Sequence, residues 1–247
     1  MSEKIDVRGI KFDNVTVSEA VDLMLDNTRA ARQTAVFTPN SEIVQMCIDN
    51  PEMYDVIGRA DITLPDGIGV VKAAKILGTP LKGRAPGFEA GEELIRRSSD
   101  HGLKIFLMGG KPGIAELARD KLLEKYPRTE FVGCHDGYFQ KDGDENDAMV
   151  AEIKASGADV LFVCFGAPAQ EKWINENRGR LPEVKLFLGL GGSLDGYSGN
   201  LKRAPEIFCK LGLEWFYRLL CQPSRIGRMM KLPKFYFGTW RYKLSGK

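Results

Sequence analysis

The chain of 247 residues lacks any stretch apolar enough to cross a membrane as a helix. Nowhere do about 18 apolar residues run uninterrupted, and the first residues have no basic segment followed by the apolar run of a secretory signal. We therefore expect a protein made and kept in the cytoplasm. With 43% hydrophobic and 28% charged residues, the chain has the composition of a globular protein with one large core, or of a domain with an appendage.

Histidine and cysteine are too sparse to suggest a metal cluster. There are two histidines and five cysteines, and no two cysteines have CxxC spacing. We therefore expect buried free thiols and no zinc cluster. Asp142-Gly143-Asp144 has the DxD form by which many sugar-nucleotide transferases hold a divalent metal, but it lies within the charged run Lys141 to Asp147. We interpret that run as a solvated loop and predict no metal site.

Three fingerprints of common enzyme classes are missing. No GxSxG nucleophile elbow is present to complete a catalytic triad, so the adjacent residues His135 and Asp136 are interpreted as part of a surface loop. No GxxxxGK[ST] phosphate loop occurs, and the G-x-G-x-x-G pattern that begins at Gly189 meets Leu194 at its last position. These absences disfavour P-loop enzymes and dinucleotide dehydrogenases.

Alternating strands and helices are what the sequence does contain. Thr16 to Glu19 has capping-box spacing and begins a helix that continues to about Ala31. Short apolar runs that end in glycine or polar turns then alternate with helical periodicity at 35–47, 60–84, 103–125, 130–157 and 159–173, before a last strand at 185–190. This alternation predicts an α/β, Rossmann-like domain over residues 1–200, with a mostly parallel sheet flanked by helices.

Residues 201–247 differ from the rest of the chain in charge and in pattern. They carry eleven Lys/Arg against two Glu, a net charge of +9 within a chain whose total is +2, so residues 1–200 carry −7. Aromatic and aliphatic residues recur at helical intervals between three prolines. We predict a basic helical appendage, of a kind that meets phosphate in nucleic acid, at an anionic membrane or in a substrate.

Asp66 is the strongest catalytic candidate that local sequence offers. It follows a short strand and precedes Gly67, and the strand ends of open α/β sheets face the ligand crevice. A carboxylate at that place can act as a general base, and the glycines around it permit close approach of a substrate. Capping of the following helix is the alternative role, and local sequence gives the two roles equal weight.

Six motifs in order resemble those of one protein family. They are TPNSEIV at 38–44, LPDGIGVV at 64–71, the basic residue Arg84, FLMGGKPG at 106–113, GAPAQEKW at 166–173 and GGSLDGYSGNLKRAPE at 191–206. Together they resemble the WecG/TagA/CpsF glycosyltransferases (glycosyltransferase family 26) over almost the whole chain. The segment 211–235 is similar to the C-terminal appendage of the members that act in wall teichoic acid synthesis.

The resemblance implies an inverting transfer of an N-acetylhexosamine, typically N-acetylmannosamine, from UDP to N-acetylglucosamine on undecaprenyl diphosphate, without a metal or another cofactor. The donor stays open, because relatives that transfer N-acetylmannosaminuronic acid or another UDP-hexose would share most of these motifs. The resemblance also implies a pocket in which Asp66 is the base and Arg84 a cation, with polar groups from Thr38, Asn40 and Gln170.

A departing diphosphate that is not held by a metal needs cations and N–H dipoles around it. We expect these groups from Arg84, from Arg203 and from four glycines at strand ends, Gly109, Gly110, Gly191 and Gly192. By the same resemblance, Tyr138 and Asp195 lie at the nucleotide. The tail arginines Arg218, Arg225 and Arg228 would contact either the donor or the diphosphate of the lipid.

A lipid-linked acceptor would also explain the appendage. Its basic residues, together with Trp215, Tyr217, Phe235 and Trp240, suit a membrane interface, so we expect peripheral binding at the inner face of an anionic cell membrane. Alternatively, the apolar residues cover the edge of the domain or form a homo-oligomer contact. A hypothesis from a different class is a non-catalytic module that binds nucleotide or nucleic acid through the basic tail. Its proline-interrupted pattern matches no known nucleic-acid motif, so we expect no nucleic-acid partner.

Overall fold

The centre of the molecule is a six-stranded parallel sheet. The computed structural model describes residues 2–200 and 231–245. Its strands are β3 (Thr34–Phe37), β4 (Ile62–Thr63), β5 (Lys104–Gly109), β6 (Glu130–His135), β7 (Val160–Cys164) and β8 (Leu186–Gly189), and a separate antiparallel hairpin contains β1 (Lys4–Val7) and β2 (Ile10–Asp13). The sheet has the order β4-β3-β8-β7-β5-β6, and every neighbouring pair is parallel.

Helices cover both faces of this sheet. The first layer contains α2 (Ser41–Asp49), α3 (Pro51–Gly58), α4 (Ile68–Leu77), α7 (Gly143–Ser156), α8 (Ala169–Asn177) and the C-terminal helix (Lys231–Leu244). The second contains α1 (Val17–Arg29), α5 (Gly87–Ser98), α6 (Ile114–Lys125) and the short α9 (Ser193–Tyr197). The prediction of an α/β, Rossmann-like fold with a mostly parallel sheet is confirmed.

The apolar runs of the central strands supply both cores. All five residues of β7 are buried, as expected for a parallel strand that helices cover on both sides. On β5, Phe106 and Met108 face the first layer, whereas Ile105 and Leu107 face the second. Continuous apolar runs therefore mark these strands, because both faces of each strand need apolar side chains.

The strand order creates crevices at the carboxyl edge of the sheet. Strands β5 and β7 are neighbours, yet the helices that follow them, α6 and α8, lie on opposite faces. The same is true of β3 and β8, which are followed by α2 and α9. In open α/β sheets, ligands bind at such reversals, outside the carboxyl ends of the strands. The edge from β3 to β5 is therefore the place to look for a site.

Most of these elements were predicted from local sequence patterns, but the prediction of a loop at Lys141 to Asp147 was wrong. The capping box of Thr16 and Glu19 is formed at the start of α1, so that prediction is confirmed. The run Lys141 to Asp147 is not a loop throughout, because α7 begins at Gly143 and places Asp144 and Glu145 in its first turn. Acidic side chains are favourable there because the helix dipole is positive at its N-terminus.

The C-terminal helix packs into the first layer, against α2 and α4. Phe235 is fully buried in that contact, and Lys234 Nζ lies 2.8 Å from both carboxylate oxygens of Asp49 in α2. The prediction that Phe235 lies at a membrane interface is therefore wrong, because this ring covers the domain instead. The helical pattern predicted between 202 and 230, with Arg203, Arg218, Arg225 and Arg228, lies outside the described residues.

Truncation of Phe235 to alanine is expected to lower the free energy of unfolding by about 3 kcal/mol, since it empties a fully buried aromatic site. Phe237, two residues later, is 73% exposed and serves as the matched control, with an expected loss below about 0.5 kcal/mol. Urea unfolding followed by circular dichroism measures both variants. Equal losses for Phe235→Ala and Phe237→Ala would contradict the packing of this helix.

Candidate functional site

Thr38 and Asn40 follow β3 at the carboxyl edge. The Thr38 hydroxyl donates to the carbonyl oxygen of Gly189 at 3.0 Å and so joins the ends of β3 and β8. Asn40 is the N-cap of α2, where its Oδ1 accepts the N–H groups of Glu42 (3.0 Å) and Ile43 (3.1 Å). The Asn40 amide group is thereby held in one orientation at the mouth of the crevice between β3 and β8.

Asp66 follows β4 and is half-buried. The N-cap of α4 is the next residue, Gly67, whose φ of +83° is accessible to glycine at little cost. Asp66 therefore lies one residue before the N-cap position. A Cβ atom at Gly67 would be 3.9 Å from the Cβ atom of Asn40, so the turns that carry Asn40 and Asp66 are in contact.

Arg84 lies beside Asp66 although α4 separates them in the chain. The Ala85 N–H donates to the carbonyl oxygen of Pro65 at 2.9 Å, which fixes the backbone of Arg84 next to that of Asp66. The Arg84 guanidinium lies 3.6 Å from the carboxylate of Glu89, at the start of α5, and about a third of each side chain is exposed. A carboxylate and a guanidinium therefore flank the same strand end.

Gln170, in the first turn of α8, crosses between β7 and β8. Its Oε1 accepts the N–H of Gly166 at 3.1 Å and the N–H of Gly191 at 2.8 Å. The side chain is almost fully buried and leaves little room for a side chain on Gly189, where an added Cβ atom would be 3.0 Å from Gln170 Nε2. The Gln170 amide thus joins the loops that follow two adjacent strands.

Glycines shape the end of β5. Gly109 has φ +141°, and a Cβ atom there would overlap the carbonyl oxygen of Cys164 in β7. Gly110 has φ +74°, and its carbonyl oxygen accepts the N–H of Gly137 at 2.9 Å. These contacts bring the loop after β6 directly against Gly109 and Gly110. The ends of β5, β6 and β7 therefore form one surface.

The loop after β6 presents Tyr138 to solvent, with 69% of the residue exposed. Its backbone N–H donates to Asp136 Oδ1 at 2.7 Å. Lys141 braces the same loop, because its ammonium group donates to the carbonyl oxygens of Gly137 (2.7 Å) and Phe139 (2.8 Å) and lies over the Phe139 ring. An exposed aromatic ring on a braced loop is suited to stack against a planar base.

Asp195 lies in the first turn of α9, after β8. Its carboxylate oxygen would be 3.7 Å from a Cβ atom at Gly192, the N-cap of that helix, and Gly191 before it has φ +58°. The predicted residues Gly191, Gly192 and Asp195 therefore form one turn beside the Gln170 amide.

Two groups of residues thus occupy the same edge of the sheet. Thr38, Asn40, Asp66 and Arg84 lie at β3 and β4, whereas Gly109, Gly110 and Tyr138 lie at β5 and β6. Since β8 and β7 intervene, and neighbouring strands are about 4.8 Å apart, the ends of β3 and β5 are about 14 Å apart. Gln170, Gly191, Gly192 and Asp195 fill the interval. Such an edge can receive an elongated ligand with different chemistry at its two ends.

A sequence model of the glycosyl transferase WecG/TagA/CpsF family matches residues 5–247. The chain belongs to this family. Two curated relatives, from Staphylococcus aureus strains MRSA252 and NCTC 8325 / PS 47, are named N-acetylglucosaminyldiphosphoundecaprenol N-acetyl-beta-D-mannosaminyltransferase. Each is 36% identical over 238 residues, which cover 95% of this chain and 91% of the relative. The resemblance read from the six motifs is confirmed, and with it the prediction of a glycosyltransferase.

The described residues of this WecG/TagA/CpsF glycosyltransferase contain neither a metal cluster nor a membrane-spanning helix. Within 2–200 and 231–245, no three His, Cys, Asp or Glu side chains are placed to share a metal ion. In the same residues, no helix combines the length and the hydropathy that crossing a membrane requires.

Sequence reasoning missed two residues that hold the site together. Lys141 was assigned to a solvated run, although its ammonium group caps the loop of Tyr138. Glu171 was not singled out from the sequence, yet it is 1% exposed and accepts a hydrogen bond from Gln170. A charged residue next to a predicted site residue was the one signal available, and it does not distinguish a buried from an exposed position.

Proposed function

We propose that this enzyme transfers N-acetylmannosamine from UDP to the N-acetylglucosamine of an undecaprenyl-diphosphate-linked acceptor, with inversion and a β linkage, in the synthesis of wall teichoic acid or a related surface polysaccharide. The observation that carries the proposal is the match of almost the whole chain to relatives named for this transfer. The placement of Asp66, Arg84 and Asn40 around one strand end supports it.

Asp66 is the general base of this proposal. In an inverting transfer the acceptor hydroxyl attacks the anomeric carbon as a base removes its proton, and a carboxylate within about 3 Å can do so. Asp66 is half-buried at the carboxyl edge, where a sugar hydroxyl can reach it. The adjacent Asn40 and Thr38 supply polar contacts for the same sugar.

The departing UDP requires stabilisation of the charge that develops on its diphosphate. Arg84, next to the Asp66 turn, supplies a positive charge. Backbone N–H groups can approach phosphate oxygens at the turns that contain Gly109, Gly110, Gly191 and Gly192. The proposal needs no metal for this step. In this proposal, the departing UDP diphosphate or the diphosphate of the lipid is also contacted by four further arginines, Arg203, Arg218, Arg225 and Arg228.

The nucleotide end of the donor is assigned to Tyr138 and Asp195. Tyr138 offers an exposed ring for the uracil, and Asp195 offers a carboxylate that can accept hydrogen bonds from the uracil or the ribose. The distance of about 14 Å between the ends of β3 and β5 leaves room for a diphosphate between these residues and Asp66.

The C-terminal helix is assigned to peripheral contact with the inner face of the membrane. Phe237, Trp240 and Leu244 are 73%, 52% and 83% exposed, and their spacing of three and four places them on one face. The helix also carries Lys231, Lys234, Arg241 and Lys243 and no acidic residue. A basic residue near an anionic surface contributes about 1 kcal/mol of attraction, and these apolar side chains are suited to insert at the interface.

A donor screen tests the proposed reaction. Purified enzyme is incubated with a short-chain lipid-diphosphate N-acetylglucosamine and, separately, with UDP-N-acetylmannosamine, UDP-N-acetylmannosaminuronic acid and UDP-N-acetylglucosamine, and products are identified by mass spectrometry. We expect transfer from UDP-N-acetylmannosamine in the presence of a metal chelator. Faster transfer from another UDP-sugar would reassign the donor, and absence of transfer from all three would refute the proposal.

Flotation with vesicles that contain phosphatidylglycerol tests the membrane contact. The double variant Phe237→Glu, Trp240→Glu is expected to reduce the fraction of protein that floats with the vesicles at least threefold, because it places carboxylates on the inserting face. The matched control is Tyr54→Glu, since Tyr54 is also exposed but lies on α3. Unchanged flotation of the double variant would show that this face does not contact the membrane.

A further inference from the structure

Glu171 is a buried acidic residue that the proposed reaction does not use. It lies in the first turn of α8 with 1% of its surface exposed. Its Oε1 accepts a hydrogen bond of 2.9 Å from Gln170 Nε2, and among the described residues its Oε2 has no hydrogen-bond partner. Burial raises the pKa of the Glu171 carboxyl, against the smaller opposing effect of the Gln170 hydrogen bond. These observations describe a buried carboxyl group whose oxygen serves as a hydrogen-bond acceptor.

The orientation of the Gln170 amide depends on this acceptor. Gln170 Oε1 faces two donors, the N–H groups of Gly166 and Gly191. If the amide turned over, its NH₂ group would face those donors and its oxygen would face Glu171 Oε1, so three hydrogen bonds would be lost together. Glu171 therefore favours the orientation in which Gln170 ties the two glycine loops.

The two loops that Gln170 joins belong to the proposed site. The first follows β7 and contains Gly166, and the second follows β8 and leads through Gly191 and Gly192 to Asp195. Gly166 and Gly191 both have positive φ, +83° and +58°, so these turns do not belong to the regular structure of either strand. Their N–H groups are held by one side chain, and that side chain is held by Glu171.

We propose that Glu171 is a positioning residue which, through the Gln170 amide, holds the loops after β7 and β8 in the geometry that sugar transfer requires. The consequence for catalysis rests on the proposed function, whereas the tie between the loops does not. An acceptor oxygen at position 171 is what the role needs, and a negative charge is not. Glutamine at position 171 should therefore preserve the tie between the loops, whereas leucine should abolish it.

The first measurement is amide hydrogen exchange of the protein without substrate. In Glu171→Leu, the protection of the Gly166 and Gly191 N–H groups is expected to fall at least tenfold, because Gln170 loses its fixed orientation. In Glu171→Gln it is expected to stay within about threefold of the original protein. The Leu190 N–H, which donates to the carbonyl oxygen of Val163, is an internal control and should be unaffected. Unchanged protection of both glycine amides in Glu171→Leu would overturn the proposal.

The second measurement is the kinetics of transfer. Glu171→Leu is expected to lower kcat about 100-fold, the size of effect that a displacement of about 1 Å produces, with less than a threefold change in the KM of the donor. Glu171→Gln is expected to restore kcat to within about threefold. If Glu171→Gln is as impaired as Glu171→Leu, an acceptor oxygen at position 171 is not sufficient and the positioning role is wrong.

A double-mutant cycle tests whether Glu171 acts through Gln170. In a Gln170→Leu background, Glu171→Leu is expected to lower kcat by less than threefold further, because the tie is already absent. Losses that multiply would contradict the proposal. Should Glu171→Leu fail to fold, Glu171→Met repeats the comparison with a more flexible side chain. If wild-type enzyme transfers no sugar, the proposed function fails, but the exchange of the Gly166 and Gly191 amides still decides whether the tie exists.

Discussion

Asp66→Asn is expected to lower the rate of sugar transfer at least 100-fold while the protein stays folded. A general base contributes about 10²–10⁴ to the rate of such a step, and asparagine has nearly the same shape as aspartate but cannot accept the proton. The turn itself should survive, since the N-cap position of α4 is Gly67 and asparagine keeps a side-chain oxygen that can accept hydrogen bonds. Initial rates with saturating UDP-N-acetylmannosamine, combined with thermal unfolding, measure the two properties separately.

The control for this experiment is Asp142→Asn, which also tests the DxD motif. Asp142 is the N-cap position of α7 but makes no capping hydrogen bond through its side chain, so little stability depends on it. We expect its transfer rate to stay within about twofold of the original enzyme. A variant with Asp66→Asn that keeps more than a tenth of the activity would remove Asp66 from the role of base. A large loss in Asp142→Asn would instead indicate a metal-dependent reaction.

Gly109→Ala is expected to lower the free energy of unfolding by about 3–5 kcal/mol. At φ +141° the added methyl group would overlap the Cys164 carbonyl group of β7, and overpacking and backbone strain each cost about 1–3 kcal/mol. The displaced backbone lies at the end of β5, against which the loop of Tyr138 packs. Urea unfolding gives the loss of stability, and UDP binding by calorimetry gives the functional loss.

Gly113→Ala is the matched control. Gly113 lies four residues further along, also at positive φ (+83°), but nothing lies within 4 Å of an added Cβ atom. Gly113→Ala should lower the free energy of unfolding by about 1–2 kcal/mol, the conformational penalty alone, and should leave UDP binding intact. Equal costs at Gly109 and Gly113 would mean that β7 yields easily to a methyl group, and the contact between β5 and β7 would not be what requires glycine.

The placement of the site could be predicted from sequence because it depends on strand ends. Once 35–38, 60–66 and 185–190 are recognised as parallel strands, their carboxyl ends must meet at one edge of the sheet, so Thr38, Asp66 and Gly191 must lie near one another. Periodicity and turn residues were sufficient for this step, and the structure brings these residues together. The catalytic roles themselves stay predictions.

Contacts that depend on tertiary packing could not be predicted from the sequence. The burial of Phe235 required the knowledge that the C-terminal helix packs on α2 and α4, and composition alone favoured a membrane interface. The hydrogen bond from Gln170 to Gly191 joins residues whose proximity follows only from the order of β7 and β8. Helices α3 and α5 and the β1–β2 hairpin, whose strands have only four residues each, were not predicted.

The backbone hydrogen bond between Ala85 and Pro65 closes the segment that contains α4 at its base. Helix α4 leaves the site after Asp66 and the chain returns to it at Arg84, so the helix is an excursion whose two ends are fastened together. The backbone separation of Asp66 and Arg84 is therefore insensitive to substitutions on the outer surface of α4, where Lys72 and Lys75 are exposed. A fluorescent label or a crosslinker attached there should therefore leave the Asp66 turn undisturbed.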